Sequence, residues 1–176
     1  GDPALGFLNT TNGAVVPTTD PGCPQYIDAG VTYTRYPCAP IVNPGDPATW
    51  EELRPLTEEV AALFPFGMIH LGADEAPHGA WDGSPAVTAL KAREGLATSD
   101  DMQGWMLSRL AAGRVARGIR VAAWEEAAKG VQGGIGNGAL LFSWTGQGPG
   151  VEAARRGHEV VMCPAQNIYF DMAHTP

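Results

Sequence analysis

Apolar residues recur at steps of three and four between residues 47 and 64, the period of a helix with one buried face. They are Trp50, Leu53, Leu56, Val60 and Leu63. Pro47 suits the first turn of this predicted helix, and Pro65 follows its end. The apolar run at residues 68–71 then has the length of a strand.

Similar patterns predict helices alternating with strands along the rest of the chain. Ser84 is the predicted N-cap of a helix over residues 84–94. A helix over residues 99–116 would be buried through Met102, Trp105, Met106 and Leu110. The other predicted elements are a strand at 119–124, a helical turn at 125–129, a glycine-rich loop at 130–138, a strand at 139–144, a helix at 149–156, a strand at 159–162 and an extended segment at 168–170.

The predicted strands are apolar throughout, which is typical of strands buried on both faces of a parallel sheet. Polar residues cluster just after the strand ends, as in (β/α)8 barrels and doubly wound sheets. Residues 133–136 lack the glycine spacing of a dinucleotide site and precede a strand. The predicted fold class is therefore α/β, a partial (β/α)8 TIM barrel.

A complete barrel needs about 250 residues, whereas this chain has 176. Half a barrel leaves two open edges, which proteins normally avoid. We therefore expect the chain to be part of a longer protein, with half of a barrel domain at residues 47–176. Residues 1–46 are predicted to be an irregular loop region of that domain, with one extended piece at 31–34.

Composition narrows the range of partners. The formal net charge of −8 argues against nucleic acid and anionic membranes, because both attract clustered Lys and Arg. No apolar run approaches the roughly 20 residues of a membrane helix, and the first residues do not resemble a secretion leader. Cys23 and Cys38 could pair or stay free thiols, whereas Cys163 is expected to be buried.

Residues 70–75, His-Leu-Gly-Ala-Asp-Glu, are the most informative stretch. Asp74 and Glu75 are adjacent carboxylates after a predicted strand. Neighbouring side chains of a regular strand point to opposite faces, so the chain must leave β geometry if both are to reach one site. Gly72 and Ala73 are small enough to allow this. The alternative is a solvated acidic loop, but the strand and the nearby aromatic residues favour a functional site.

This stretch resembles the signature of the family 20 glycoside hydrolases, the β-N-acetylhexosaminidases: a His, an apolar residue, two glycines, Asp and Glu at the end of the fourth barrel strand. Ala73 replaces the second glycine. The similarity covers about residues 44–176 and implies about strands 4 to 7 of the barrel, its C-terminal half. Its other parts are Leu63-Phe64-Pro65, Trp124-Glu125-Glu126, Trp144, residues 160–164 and Tyr169-Phe170-Asp171.

The resemblance implies hydrolysis of terminal, non-reducing β-linked N-acetylhexosamine (GlcNAc or GalNAc) with retention of configuration. In this family the substrate's own acetamido oxygen attacks the anomeric carbon and forms an oxazolinium intermediate, so the enzyme supplies no nucleophile. Glu75 would be the general acid and then the base. Asp74 would orient and polarise the acetamido group. Tyr169 would donate a hydrogen bond to the attacking oxygen.

The resemblance also assigns substrate-binding roles. Trp124 and Trp144 would line the acetamido pocket, although buried Trp is also common in barrel cores. Asp171 would bind sugar hydroxyls. His70 lies within the strand, so a structural role competes with substrate binding. Trp81 is expected to pack its loop.

Several alternatives stay open. Glu125 and Glu126 could touch substrate, but acidic residues also favour a helix N-terminus. Four nearby side chains offer metal ligands: His70, Asp74, Glu75 and His78. Their spacing differs from the usual zinc signatures, so no metal or other cofactor is predicted. A non-catalytic carbohydrate-binding relative and a barrel hydrolase with its own nucleophile are the other candidates.

The resemblance finally suggests the protein's surroundings. The expected partners are a β-N-acetylhexosaminide oligosaccharide or glycoconjugate and the missing N-terminal half of the barrel, with no nucleic acid and no membrane insertion. The substrate class and a Cys23–Cys38 pair would fit a secreted or periplasmic protein; a cytoplasmic one is the alternative. By itself the fragment is expected to be inactive or poorly folded.

Overall fold

The computed structural model describes residues 25–28, 31–34, 42–76, 81, 84–130 and 134–171. The strands are β1 (Gln25–Asp28), β2 (Val31–Thr34), β3 (Met68–His70), β4 (Arg120–Trp124), β5 (Leu140–Ser143) and β6 (Glu159–Met162). The α-helices are α1 (Pro47–Leu63), α2 (Pro85–Glu94), α3 (Ser99–Val115), α4 (Gln147–Arg155) and the single turn α5 (Ala165–Ile168), and a 3-10 helix spans Glu125–Ala128.

The chain divides into two compact units. The first consists of residues 1–58 and 75–99, and the second of residues 59–74 and 100–176. Asp74 and Glu75 therefore belong to different units. The predicted boundary at residue 46 separates an irregular loop region from the half barrel. The division into compact units does not test it, so it stays a prediction.

The first unit contains an antiparallel pair of strands, with Gln25 of β1 opposite Thr34 of β2. The strand β2 confirms the extended piece predicted at residues 31–34, whereas β1 was not predicted. Trp81 is only 3% exposed, and its indole N–H donates to the carbonyl of Val42 at 2.9 Å. This side chain therefore packs within the first unit, as expected.

The helix α2 begins and ends as its sequence predicts. The hydroxyl of Ser84 accepts the N–H of Val87 at 3.3 Å, and Pro85 occupies the first turn. This satisfies one of the N–H groups that a helix N-terminus leaves without an intrahelical partner. Among all the helices that the structure describes, none combines the length and the apolar character needed to cross a membrane.

The second unit is built on a parallel sheet with strand order β3-β4-β5-β6. Its register pairs Met68 with Arg120, Trp124 with Phe142 and Ser143 with Met162. Helices occupy each of the connections between these strands. The predicted α/β class with parallel βα units is confirmed.

One apolar cluster joins the strands of this sheet to α3 and α4. Its buried members are Ile69, Leu107, Ala111, Val121, Ala123, Ala127, Ala128, Ile135, Ala139, Leu141 and Ala153. Alanines are the commonest members, so the backbones of neighbouring elements come close together. At Gly104 of α3, an added Cβ would lie 2.8 Å from the Cα of Gly134, so no larger side chain fits there without movement.

Because α3 approaches its neighbour at Gly104, the buried face of α3 differs from the predicted one. Met102 and Leu110 are buried as predicted, but Trp105 and Met106 are only half-buried. The buried face instead passes through Gly104 and Leu107. Sequence periodicity favoured the large apolar residues, whereas the packing selected the position at which α3 can approach its neighbour.

The predicted burial of every strand on both faces is wrong for the outer strands. Met68 of β3 is 37% exposed and Met162 of β6 is 44% exposed. These two strands are the edges of the four-stranded sheet, so each has a strand neighbour on one side only. The predicted buried face of α1 is exposed as well, at Leu56 and Leu63.

Two further predictions need correction. Ile168 does not continue an extended segment, because Pro164 starts a turn and its carbonyl accepts the N–H of Ile168 at 3.1 Å. Cys163 is a free thiol that is only half-buried. The residues Cys23, Cys38 and His78 lie outside the described part of the chain.

Burial of His158 makes the stability of the second unit depend on pH. The residue is 6% exposed. Burial lowers its pKa below the ordinary 6.5; a hydrogen bond with the backbone of Ala139 opposes this, and the charge of Arg156 adds to it. The unfolded histidine therefore binds a proton at a higher pH than the folded one. This contribution to the free energy of unfolding is complete above about pH 6.5 and is lost as the pH falls towards the folded pKa.

We expect His158→Gln, which cannot titrate, to flatten the pH dependence of stability. Denaturant unfolding from about pH 7.5 to about pH 5.5 measures the effect, because this window spans the pKa of an unfolded histidine. The variant should lose less stability on acidification than the natural sequence does. Parallel pH profiles would contradict the assignment.

Candidate active site

The predicted site residues of the second unit follow the carboxyl ends of its strands. Asp74 follows β3, Trp124 ends β4, Trp144 follows β5, and Tyr169 and Asp171 come after β6. The carboxyl ends of parallel strands lie at one edge of a sheet, which is where barrel enzymes place their active sites. The four strands therefore bring residues from distant parts of the sequence to the same edge.

The chain leaves β geometry immediately after β3, as predicted. The carbonyl of Gly72 still accepts the N–H of Trp124 at 2.9 Å, which extends the pairing with β4. The φ angles then become positive at Gly72 (74°), Ala73 (91°) and Glu75 (51°). Left-handed backbone is unfavourable for residues with a Cβ, so this turn stores strain at Ala73 and Glu75.

A buried side chain forms a hydrogen bond with this turn. The amide of Gln103, on α3, donates to the carbonyl of Ala73 at 2.7 Å. Gln103 is only 9% exposed, and a buried amide without partners would be unfavourable. Gln103 was not predicted as part of the site, although a Gln within the apolar pattern of a helix is a usable signal.

Both members of the carboxylate pair are exposed. Asp74 lies in the second unit, and Glu75 is joined to it by one peptide bond but belongs to the first. An exposed carboxylate is available to a ligand, because it is not enclosed by protein. The structure thus places the pair on a strained turn at the end of β3.

His70 belongs to an aromatic cluster next to this turn. Its ring centroid lies 5.1 Å from that of Trp124 and 5.4 Å from that of Phe142. Its Nδ1 accepts the N–H of Gly72 at 3.1 Å, so the neutral ring carries its proton on Nε2. His70 is exposed overall, but partial desolvation of its ring lowers its pKa, and the charge of Asp74 partly offsets that. These contacts favour the structural role for His70; Phe142 was not predicted.

Trp144 and Tyr169 form a second aromatic group. Their rings stack with centroids 6.4 Å apart and planes 18° apart. The short helix α5 connects them, because Ala165 donates its N–H to the carbonyl of Trp144 at 2.8 Å and accepts the N–H of Tyr169 at 3.3 Å. These backbone hydrogen bonds therefore link the residue that carries the indole to the residue that carries the phenol.

The phenol of Tyr169 lies in a field of acidic groups. Partial desolvation raises its pKa, and negative charge on Cys163, Asp171, Glu125 and Asp74 raises it further, in decreasing order. Tyr169 therefore keeps its proton at neutral pH and remains a hydrogen-bond donor.

Glu125 and Glu126 are buried, at 4% and 8% exposure. Glu125 accepts the backbone N–H of Trp144 at 3.1 Å and that of Thr145 at 2.9 Å, as well as the hydroxyl of Thr145. Glu126 accepts the indole N–H of Trp144 at 3.2 and 3.3 Å. Their roles go beyond a preference for a helix N-terminus, because they bind the next strand's aromatic residue.

Asp171 is exposed, and its described link to the site is its charge on Tyr169. Within the described ranges, no group of three or more His, Cys, Asp or Glu side chains could hold a metal ion. His78, a member of the suggested metal set, lies outside those ranges. Among the described residues, the carboxyl-end edge of the sheet thus presents carboxylates, a phenol and indoles to a ligand.

Carboxylates that can transfer protons, beside aromatic faces that can pack on sugar rings, are the equipment of a glycoside hydrolase. The model of the family "Glycosyl hydrolase family 20, catalytic domain" matches residues 13–176. The chain belongs to this family. Its parallel sheet with helices is accordingly part of a (β/α)8 TIM barrel.

Individual relatives agree with this assignment. A β-hexosaminidase of Vibrio furnissii is 37% identical over 133 residues, which cover 76% of this chain and 21% of the relative. A β-hexosaminidase of Porphyromonas gingivalis is 27% identical over 128 residues, which cover 72% and 16%. The solved GH20 exo-β-N-acetylglucosaminidase of Vibrio harveyi in complex with N-acetylglucosamine has a TM-score of 0.70 and 36% identity, over 77% of this chain and 21% of its own. The chain spans about a fifth of the length of these relatives.

We expect Ala73→Gly to stabilise the protein by about 1 kcal/mol, because glycine adopts positive φ without the steric cost that a Cβ imposes. Urea unfolding measures the change. Ala112→Gly, on an exposed position of α3 in the same unit, is the matched control and should destabilise by about 1 kcal/mol. A loss of stability in Ala73→Gly would contradict the strain at this turn.

Proposed function

We propose that this chain supplies the acid/base carboxylate and the acetamide-binding groups of an active site that hydrolyses terminal, non-reducing β-linked N-acetylhexosamine residues. The observation that carries the proposal is the Asp74–Glu75 pair on a left-handed turn at the carboxyl end of β3. The stacked pair of Trp144 and Tyr169 at the same sheet edge supports it. So do relatives named β-hexosaminidase and a structure solved with N-acetylglucosamine.

In the proposed mechanism the substrate provides the nucleophile. The acetamido oxygen attacks the anomeric carbon while Glu75 protonates the leaving glycosidic oxygen. An oxazolinium ion results, and Glu75 then removes a proton from the water that opens it. Configuration is retained because the anomeric carbon is inverted twice.

Asp74 and Tyr169 act on the acetamido group in this proposal. Asp74 accepts a hydrogen bond from the acetamido N–H and stabilises the positive charge that develops. Tyr169, whose pKa is raised by desolvation and the nearby acidic groups, donates a hydrogen bond to the attacking oxygen. The two groups would hold opposite ends of one amide, which favours the attacking geometry.

The remaining residues bind the sugar. Trp144 and Trp124 provide apolar walls for the acetyl methyl group and the sugar face, and Asp171 accepts hydrogen bonds from sugar hydroxyls. His70 supports Trp124 through their ring contact of 5.1 Å, so its effect on substrate is indirect.

We further propose that additional strands complete the barrel next to β3 and β6. The exposed apolar residues at these edges, such as Met68 and Met162, would then be covered. The isolated chain should be inactive, because a closed barrel is needed to surround a substrate. A secreted or periplasmic location stays a prediction.

For the following tests, a polypeptide that contains this chain and the strands completing the barrel is assayed with N-acetylglucosaminides. Glu75→Gln should lower kcat by about 10²- to 10⁴-fold for a substrate with a poor leaving group, since proton transfer contributes that much. The loss should be smaller with a nitrophenolate leaving group, which needs no proton. Glu52→Gln, an exposed carboxylate of α1, is the control. Equal rates for Glu75→Gln and the natural sequence would remove Glu75 as the acid.

Asp74→Asn should slow the acetamido-assisted step by about 10²- to 10³-fold, because an amide cannot stabilise the developing positive charge as a carboxylate does. The first-order rate in single-turnover experiments is the measurement. Full retention of that rate would discard the substrate-assisted mechanism. Binding of N-acetylglucosamine without any hydrolysis by the natural sequence would instead favour the non-catalytic carbohydrate-binding alternative.

A further inference from the structure

Glu125 and Glu126 require a physical explanation, because buried carboxylates are rare and unfavourable unless they accept hydrogen bonds. Both lie in the 3-10 helix that directly follows β4, at 4% and 8% exposure. Their hydrogen bonds reach the residues that follow β5, the neighbouring strand. The two side chains therefore connect the carboxyl ends of adjacent strands.

The two carboxylates act on different parts of one residue. Glu125 binds the backbone N–H of Trp144, and the adjoining N–H and hydroxyl of Thr145. It thus fixes the direction in which the chain leaves β5. Glu126 binds the indole N–H with both carboxylate oxygens, which fixes the rotation of the ring about its side-chain torsions.

The 3-10 helix that carries these carboxylates is itself held by hydrogen bonds and by burial. The carbonyl of Ala127 accepts the N–H of Ile135 at 2.8 Å, and that of Ala128 accepts Nη1 of Arg156 at 2.7 Å. Ala127 and Ala128 are buried in the core cluster. A site residue is held accurately only when its supporting groups are locked in this way.

The orientation of Trp144 influences the position of Tyr169. Their rings are stacked, and the carbonyl of Trp144 accepts the N–H of Ala165 at the start of the helical turn that leads to Tyr169. In addition, the side-chain amide of Gln166 in that turn donates to the carbonyl of Thr145 at 3.2 Å. A change at Glu125 or Glu126 would therefore reach both aromatic groups.

We infer that Glu125 and Glu126 are positioning residues that set the Trp144–Tyr169 face and thereby determine which 2-acyl group the site accepts. The inference rests on the proposed function and deepens it. An indole wall held on both its backbone and its N–H cannot retreat from a larger group. The site should therefore prefer an N-acetyl group over a longer N-acyl group through its rigidity.

The first test is a ratio of specificity constants in a polypeptide that completes the barrel. The kcat/KM for an N-acetyl β-glucosaminide is divided by that for the N-propanoyl analogue. Glu126→Gln loses the charge but keeps one oxygen acceptor, and should reduce this ratio about fivefold to tenfold, the net contribution of one ordinary hydrogen bond. Thr145→Val removes the hydroxyl that donates to Glu125 and should reduce the ratio less. It keeps the inference testable if Glu126→Gln does not fold.

Glu159→Gln is the matched control. It removes a carboxylate of the same unit that pairs with Arg120 at 2.7 Å on the surface, with side-chain exposures of 71% and 42%. This variant should leave the ratio unchanged. A purely structural role for Glu126 would lower the unfolding midpoint and the kcat/KM of both substrates together, with the same ratio, and that result would overturn the inference.

The second test does not depend on hydrolysis. In a 15N-labelled protein, the indole N–H resonance of Trp144 should shift and exchange faster with solvent in Glu126→Gln, but not in Glu159→Gln. An unchanged resonance would overturn the inference. If the natural sequence hydrolyses neither substrate, the proposed function fails. In that case the binding affinities decide the inference. It stands if Glu126→Gln lowers the affinity for N-acetylglucosamine relative to N-propanoylglucosamine, and it is overturned if the relative affinity does not change.

Discussion

Parallel pairing of four strands in one register is the constraint on which the rest of the second unit depends. Because Met68 pairs with Arg120, Trp124 with Phe142 and Ser143 with Met162, the carboxyl ends of all four strands end close to one level. A shift by one residue would turn every side chain of a strand to the other face. Residues that are up to about a hundred positions apart in sequence meet at this edge only because the register is fixed.

The chemistry at this edge arises where regular pairing ends. After β3 the backbone keeps two more hydrogen bonds to β4, through the N–H of Leu71 and the carbonyl of Gly72, and then turns through residues of positive φ. The strain is held by neighbouring groups, including the buried amide of Gln103. Backbone strain that is overdetermined by its surroundings is a recurrent feature of functional sites.

Carboxylates serve two physical roles at this one edge. Asp74 and Glu75 are exposed and are available to a ligand. Glu125 and Glu126 are buried and accept hydrogen bonds from the segment after β5. Burial and hydrogen bonding, rather than residue type, separate the carboxylates that are available to a ligand from those that hold the neighbouring segment in place.

The sequence by itself determined the α/β alternation, the capped helix α2, the departure from β geometry at Gly72 and the family, because each depends on short-range patterns of residue type. It did not predict the turn α5, the buried face of α3 or the exposure of Met68 and Met162. Those depend on which elements approach closely and on which strands lie at the edges, and periodicity within one element carries no such information. The contacts of Gln103 with Ala73 and of Glu126 with Trp144 join residues 30 and 18 positions apart, so only the tertiary structure could decide them.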